Sequence, residues 1–318
     1  MLAPMAALYD CAGRLNRWMT TPMPAPMPVI CVGNLVAGGA GKTPTAIALA
    51  HLLGGQGHKV HMLTRGYGGQ MSGPVAVDPQ VHTAHDVGDE ALLLARAAPT
   101  WVGADRKVIA HCAAEAGATL AIMDDGFQNP SLKKDVSLIV VDGEVGLGNG
   151  RVMPAGPLRE DPKRALVRAD AIVVMGEDRA GVAARLGAMA GGALPIFGAR
   201  LAPRAEAATL AGRRVYAFAG IARPEKFFAS LRASGCEIAG IKAFPDHYPF
   251  RKNDLTALKA AAEAAGAQLV TTEKDFVRLS RDDAADIEVF AVAALFDTPG
   301  DILDFLSSRL MKAAHGRL

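Results

Sequence analysis

Between Pro28 and Gly55 the chain reads PVICVGNLVAGGAGKTPTAIALAHLLGG. A short apolar run suited to a buried strand, a glycine-rich stretch and an apolar segment at helical spacing closed by glycines follow in order. Strand, glycine loop and helix is the order that a phosphate site requires, although the loop departs from the usual G-x-x-x-x-G-K-[ST] pattern. Counting back from Gly41-Lys42-Thr43 puts Val36 where the first glycine stands. Such a loop works by curling successive backbone N–H groups around phosphate oxygens at the mouth of a helix, where the dipole also favours negative charge. Gly38, Gly39, Ala40 and Gly41 supply the small residues this needs, Lys42 a cation for the terminal phosphate, and Thr43 a hydroxyl for Mg²⁺. The competing reading, a glycine turn that merely joins a strand to a helix, does not account for the Lys-Thr pair that follows.

Further along, HKVHMLT, LAIMDD, VSLIVVDG and AIVVM are short apolar runs separated by Ala- and Leu-rich stretches. Continuously apolar strands between helices indicate an α/β fold, a parallel sheet with helices on both faces. A second alternation follows an extended connector at 192–203, with strands near RVYAFAG, CEIAGIKAF, AQLVTT and IEVFAVAA. The expected organisation is a P-loop domain over 1–195 and a smaller α/β domain over 196–318, consistent with a length of 318 residues. With half its residues apolar and a formal charge of +2, the chain is neither disordered nor a broadly basic nucleic-acid binder. Up to residue 70 the balance is more basic: Asp10 stands against Arg14, Arg17, Lys42, Lys59 and Arg65. That local excess suits a phosphate ligand or an anionic membrane surface. The four cysteines show no paired spacing, which indicates a reducing compartment and no structural metal.

No run of about 18 uncharged apolar residues is present, so a transmembrane helix is not expected. The apolar start precedes the first basic residue, Arg14, which fits a signal peptide poorly. In the first helix Met5, Leu8, Ala12, Leu15 and Met19 share one face, flanked by Tyr9 and Trp18, with Asp10, Arg14 and Arg17 opposite. Two readings of that stripe are open: it lies in a membrane interface, or it packs on its own domain. The four prolines of TTPMPAPMPV then end the helix.

LAIMDDGFQ is an apolar strand ending in Asp124 and Asp125, the form of an acid that holds Mg²⁺ at a strand end beside a P-loop. In DVGDEALLLAR, Asp89 and Glu90 fall in the first turn of a helix, where the dipole favours acids in any case. FPDHYPF carries Asp246 and His247 in a loop, a setting in which a lone histidine is more often a surface residue than a catalyst. VTTEKDF ends a strand but is not the N-K-x-D guanine-reading pattern, which argues against a GTPase.

Taken together, VGNLVAGGAGKTPT, TRGYGG, VGDEALLLA, MDDGFQ, MPAGPLRE, AFAGIARPEKFF, FPDHY and TTEKD occur in the order found in the tetraacyldisaccharide 4′-kinase family, the lipid A 4′-kinases. The chain resembles that family from its first helix to about Leu279, including the missing first P-loop glycine. The resemblance implies ATP and Mg²⁺ as cosubstrates and a lipid-linked glucosamine disaccharide 1-phosphate as acceptor, phosphorylated at its 4′-hydroxyl. It implies a peripheral place on the cytoplasmic face of the bacterial inner membrane, with the first helix membrane-facing. No nucleic acid and no obligatory protein partner are expected. By the same resemblance Asp89 is the catalytic base, with His247 orienting it or sharing the proton. Lys42, Asp124 and Asp125 then serve the phosphoryl transfer, Thr43, Asp125 and Glu90 the metal, Gln128 the nucleotide, and Arg159 and Tyr67 the acceptor. A soluble kinase or ligase with the same loop, and a nucleotide-switch ATPase acting through protein partners, are the rival classes.

Overall fold

A strand buried on both faces needs helices on both faces, and five strands of this chain are buried at every position. They are β1 (Val29–Gly33), β2 (Val60–Thr64), β5 (Leu120–Asp124), β6 (Val136–Asp142) and β7 (Ala171–Met175). The computed structural model describes residues 2–315, so Met1 and residues 316–318, the outer ends of the two expected domains, lie outside the described residues. With β3 (Val75–Ala76), β4 (Thr100–Val102), β8 (Ile196–Pro203) and β13 (Val292–Phe296), these strands form one nine-stranded sheet in the order β13-β8-β7-β6-β1-β5-β2-β4-β3. Every pairing from β8 to β4 is parallel, and antiparallel β13 and β3 close the two edges.

Alternation along β1 shows how the core divides. Val29 and Cys31 face one apolar cluster, while Ile30 and Val32 face the other, which holds Ala46, Leu49 and Leu53 of helix α2 (Lys42–Gly55). A second, four-stranded parallel sheet has the order β10-β9-β11-β12, with β9 at Arg214–Ala219, β10 at Glu237–Ala243, β11 at Gln268–Thr272 and β12 at Glu288–Phe290. Phe227, Phe228 and Leu231 cover one of its faces, and Leu255, Leu258 and Ala262 the other.

These sheets do not divide at residue 195. The segment expected as a connector is β8, a strand of the large sheet, and the single strand read in IEVFAVAA is split at Ala291 between β12 and β13. The chain thus returns to the first sheet, and Ile302, Leu306 and Leu310 of the last helix (Pro299–His315) complete the core beside α2. The small sheet is an insertion over about 205–290, bracketed by the β8–β13 pair. Pairing between distant strands decides this membership, and local periodicity carries no record of it.

Helix α1 (Ala3–Met19) is oriented against the usual sense. Its polar side faces the protein, where Asp10 pairs with Arg164 and Arg17 lies 3.4 Å from Glu160. Met5, Leu8, Ala12, Leu15 and Met19 are all exposed, Leu8 at 71%, as is Trp18 at 83%. Of the two readings left open by the sequence, packing of the apolar stripe on its own domain does not hold.

Candidate active site

The loop after β1 lies at the C-terminal edge of the parallel strands, where open α/β sheets bind ligands. Gly41, at φ 87°, takes a left-handed turn that delivers Lys42 and Thr43 into the first turn of α2, a conformation glycine adopts without a steric penalty. β5 is the neighbour of β1, so its terminal acids arrive opposite this turn. Thr43 Oγ1 donates a 2.8 Å hydrogen bond to Asp124 Oδ2. Asp124 is buried, and burial pushes its carboxyl up to about 7, against the opposing pull of Lys42 and the Thr43 hydroxyl. Its other oxygen, Oδ1, is buried with no hydrogen-bond partner.

Asp125 is used differently. Its backbone is left-handed at φ 52°, and its carboxylate receives Arg159 through bonds of 2.8 and 3.1 Å, with Lys42 Nζ at 3.7 Å. The structure therefore brings Asp124, rather than Asp125, onto the Thr43 hydroxyl. Glu90 pairs with Lys274 at 3.3 Å, and its charge adds to the upward push on Asp124. Among the described residues no group of three or more His, Cys, Asp or Glu is disposed to hold a metal ion. The site nonetheless fits Mg²⁺: an orphaned carboxylate oxygen beside a hydroxyl is the donor set of an ion that takes one or two carboxylates and completes its shell from nucleotide phosphates and water.

Gln128 faces inward. Its amide donates to the Asn34 carbonyl at 3.1 Å and to Glu160 at 3.2 Å, and its oxygen accepts from Arg159 at 3.4 Å. It thus braces the start of the loop, while its hydrogen bonds are committed to the protein.

The second cluster joins the two sheets. Asp89 opens helix α4 (Asp89–Ala95), which follows the short helix α3 (Ala84–Val87) across Gly88. Its buried carboxylate meets His247 Nδ1 at 3.2 Å and accepts from Arg278 Nε at 3.0 Å. His247 sits at φ 57° in the loop after β10, and its Nε2 lies 3.1 Å from Lys274 Nζ. Tyr67 is exposed, its ring edge-on to the His247 ring at 6.0 Å. Asp89 and His247, expected to act as a pair, are therefore in contact, and Tyr67, expected on the acceptor side, lies against the His247 ring.

Arg278 and Lys274 were not anticipated from sequence. Arg278 also donates to the Gly220 carbonyl at 2.9 Å and to Asp275 at 3.0 Å, which ties Asp89 to the small sheet. Its only local signal is the i, i+3 spacing from Asp275, too common on helices to select it. A further contact was equally hidden. Arg223 and Lys226, entering from the small sheet, pair with Asp142 at the end of β6, and Arg223 reaches the Gly39 carbonyl at 3.3 Å.

A P-loop on a parallel sheet, an acid-ended strand beside it and a buried carboxylate–histidine pair opposite define a nucleotide-dependent phosphotransferase. Comparison with known proteins narrows the class. The family described as tetraacyldisaccharide-1-P 4′-kinase matches residues 1–311, and the chain belongs to that family. A tetraacyldisaccharide 4′-kinase of Paramagnetospirillum magneticum is 55% identical over 94% of this chain and 91% of its own. One of Rhodospirillum centenum is 49% identical over 100% of this chain and 94% of its own. The solved structure of LpxK from Aquifex aeolicus in complex with ATP shares the fold, with a TM-score of 0.74 at 24% identity over 97% of this chain and 98% of that one. The chain is an ATP-dependent kinase of lipid A biosynthesis.

Proposed function

We propose that Asp89 accepts the proton of the acceptor's 4′-hydroxyl while the P-loop holds the ATP phosphates, with His247 positioning the carboxylate. Phosphoryl transfer has a loose transition state, so the protein's task is alignment and neutralisation of charge. Lys42 and the amides of Gly38 to Thr43 serve the β- and γ-phosphates, and Arg159 lies ready beside them on Asp125. Mg²⁺, which Thr43 and Asp124 would hold, would neutralise negative charge on the ATP phosphates. Asp125 keeps Lys42 and Arg159 extended toward the loop mouth, and Tyr67 borders the acceptor approach.

One observation carries this reading: the buried Asp89 carboxylate is met at 3.2 Å by a histidine from the inserted sheet, an arrangement that a helix-start acid does not need. Labelled phosphate from ATP is expected to appear in the disaccharide lipid, with ATP turnover near background when that lipid is omitted. Equal turnover with and without it would favour a nucleotide-switch ATPase.

A lipid-linked acceptor supports work at a membrane surface. Support for a peripheral site on the cytoplasmic face of the inner membrane comes from α1, whose exposed apolar stripe is flanked by Tyr9 and Trp18. No helix among the described residues is long and apolar enough to cross a membrane. Vesicle sedimentation of the full chain and of a Leu8→Glu variant tests this: the wild type should pellet and the variant should not.

A further inference from the structure

We infer that Glu160 is a positioning residue that couples the seating of α1 on a lipid surface to the phosphate-contacting groups of the active site. The inference rests on the membrane reading of α1. Both ion pairs of the polar side of α1 fall on one short segment, Arg17 on Glu160 and Asp10 on Arg164. That segment begins directly after Arg159, the residue that grips Asp125.

Glu160 is 1% exposed, and its two oxygens have different partners. Oε2 takes Arg17 from the helix side and Arg168 beside it, while Oε1 accepts from the Gln128 amide at 3.2 Å. Gln128 passes the contact on, since its oxygen accepts at 3.4 Å from the same Arg159 Nη1 that donates to Asp125 at 2.8 Å. The Arg159 backbone N–H in turn donates to the Leu35 carbonyl at 2.7 Å, so the segment is stitched to the entry of the P-loop. Four side chains thus link a surface helix to the carboxylate that pairs with Lys42.

In water this link is loosely held at its outer end. α1 presents little apolar surface to the domain, and its Asp10–Arg164 pair is partly exposed, where water and salt screen it. Insertion of the apolar stripe into an interface would fix the helix and lower the dielectric around Arg17 and Asp10, strengthening both pairs. Glu160, Gln128 and Arg159 would then be held in one arrangement only when lipid is present.

The test uses the full-length enzyme, a monomeric short-acyl analogue of the disaccharide acceptor, and acceptor-free vesicles of phosphatidylethanolamine and phosphatidylglycerol. Wild-type turnover of the analogue is expected to rise about tenfold on adding vesicles, within the usual range of coupling between sites. Arg17→Gln should sediment with the vesicles and keep the unstimulated rate, yet lose the stimulation, and Arg17→Lys should restore it. A purely structural role for Arg17 would lower both rates together, which overturns the coupling. So would stimulation of Arg17→Gln equal to wild type, failure of that variant to sediment, or a wild type that sediments without acceleration. If the wild type does not sediment, the membrane reading fails and the coupling falls with it.

Discussion

At the scale of single residues, Asp124 carries the clearest pH signature in the site. Burial raises its carboxyl to about 7, so the folded, metal-free protein keeps a proton through the window from about 4, the ordinary aspartate range, up to about 7, where the unfolded chain has lost it. The native state binds more protons there, and the contribution of Asp124 to metal-free stability is therefore lost as pH rises through that window. Mg²⁺ needs the carboxylate form, so its affinity moves the other way. The Mg²⁺ concentration for half activity should fall steeply as pH approaches about 7 from below, by up to about tenfold per unit, and level off above it. Asp124→Asn should weaken metal binding and flatten that dependence; a flat Mg²⁺ requirement in the wild type would place the metal elsewhere. Lys42 makes a simpler case. Lys42→Ala removes a charge aimed at the transferring group and should lower turnover at least ~10²-fold, as loss of comparable contacts does. A variant within about threefold of wild type would exclude Lys42 from that role.

Between elements, the turn from α3 to α4 decides where Asp89 points. Gly88 sits at φ 87° and ψ 149°, and a Cβ there would lie 2.4 Å from the Tyr67 carbonyl oxygen. Gly88→Ala should therefore displace both Asp89 and Tyr67, costing roughly 1–3 kcal/mol of stability from the backbone conformation alone. Thermal melting and turnover should fall together, and an unchanged melt would show that the turn relaxes freely. Local units of this kind were legible in the sequence, because their chemistry is local: strand, glycine loop and helix, the acid-ended strand, and two acids opening a helix all lie within a few residues of each other. Ala291 marks the limit of that legibility. It stands inside an unbroken apolar run, and only the long-range pairing of β13 with β8 reveals that the chain changes sheets there. α1 was legible as amphipathic, but which side it turns inward depended on Glu160 and Arg164, some 150 residues away in the chain. Arg278, whose side chain is buried against Asp89, escaped because nothing near it in sequence sets it apart from surface arginines.

For the molecule as a whole, the proposed mechanism makes catalysis depend on two sheets meeting, since Asp89 lies beside the large one and its partners His247 and Arg278 come from the insertion. The insertion is bracketed by β8 and β13, and it is clamped again where Arg223 and Lys226 grip Asp142 near the loop. On that proposal the layout assembles the proton-accepting pair only where the two sheets meet, which ties chemistry to closure. If Asp89 and His247 act as one unit, Asp89→Asn and His247→Ala should each depress the turnover number while leaving ATP affinity nearly unchanged, because neither side chain contacts the P-loop among the described residues. The double variant should then lose little more than the worse single one, whereas independent residues would multiply their losses. ATP binding followed by a fluorescent analogue, together with single-turnover transfer to the disaccharide lipid, separates the two steps. Multiplicative losses would leave His247 as a neighbour of the base that holds the sheets together, and a rise in the ATP dissociation constant in either single variant would place the pair in nucleotide binding instead.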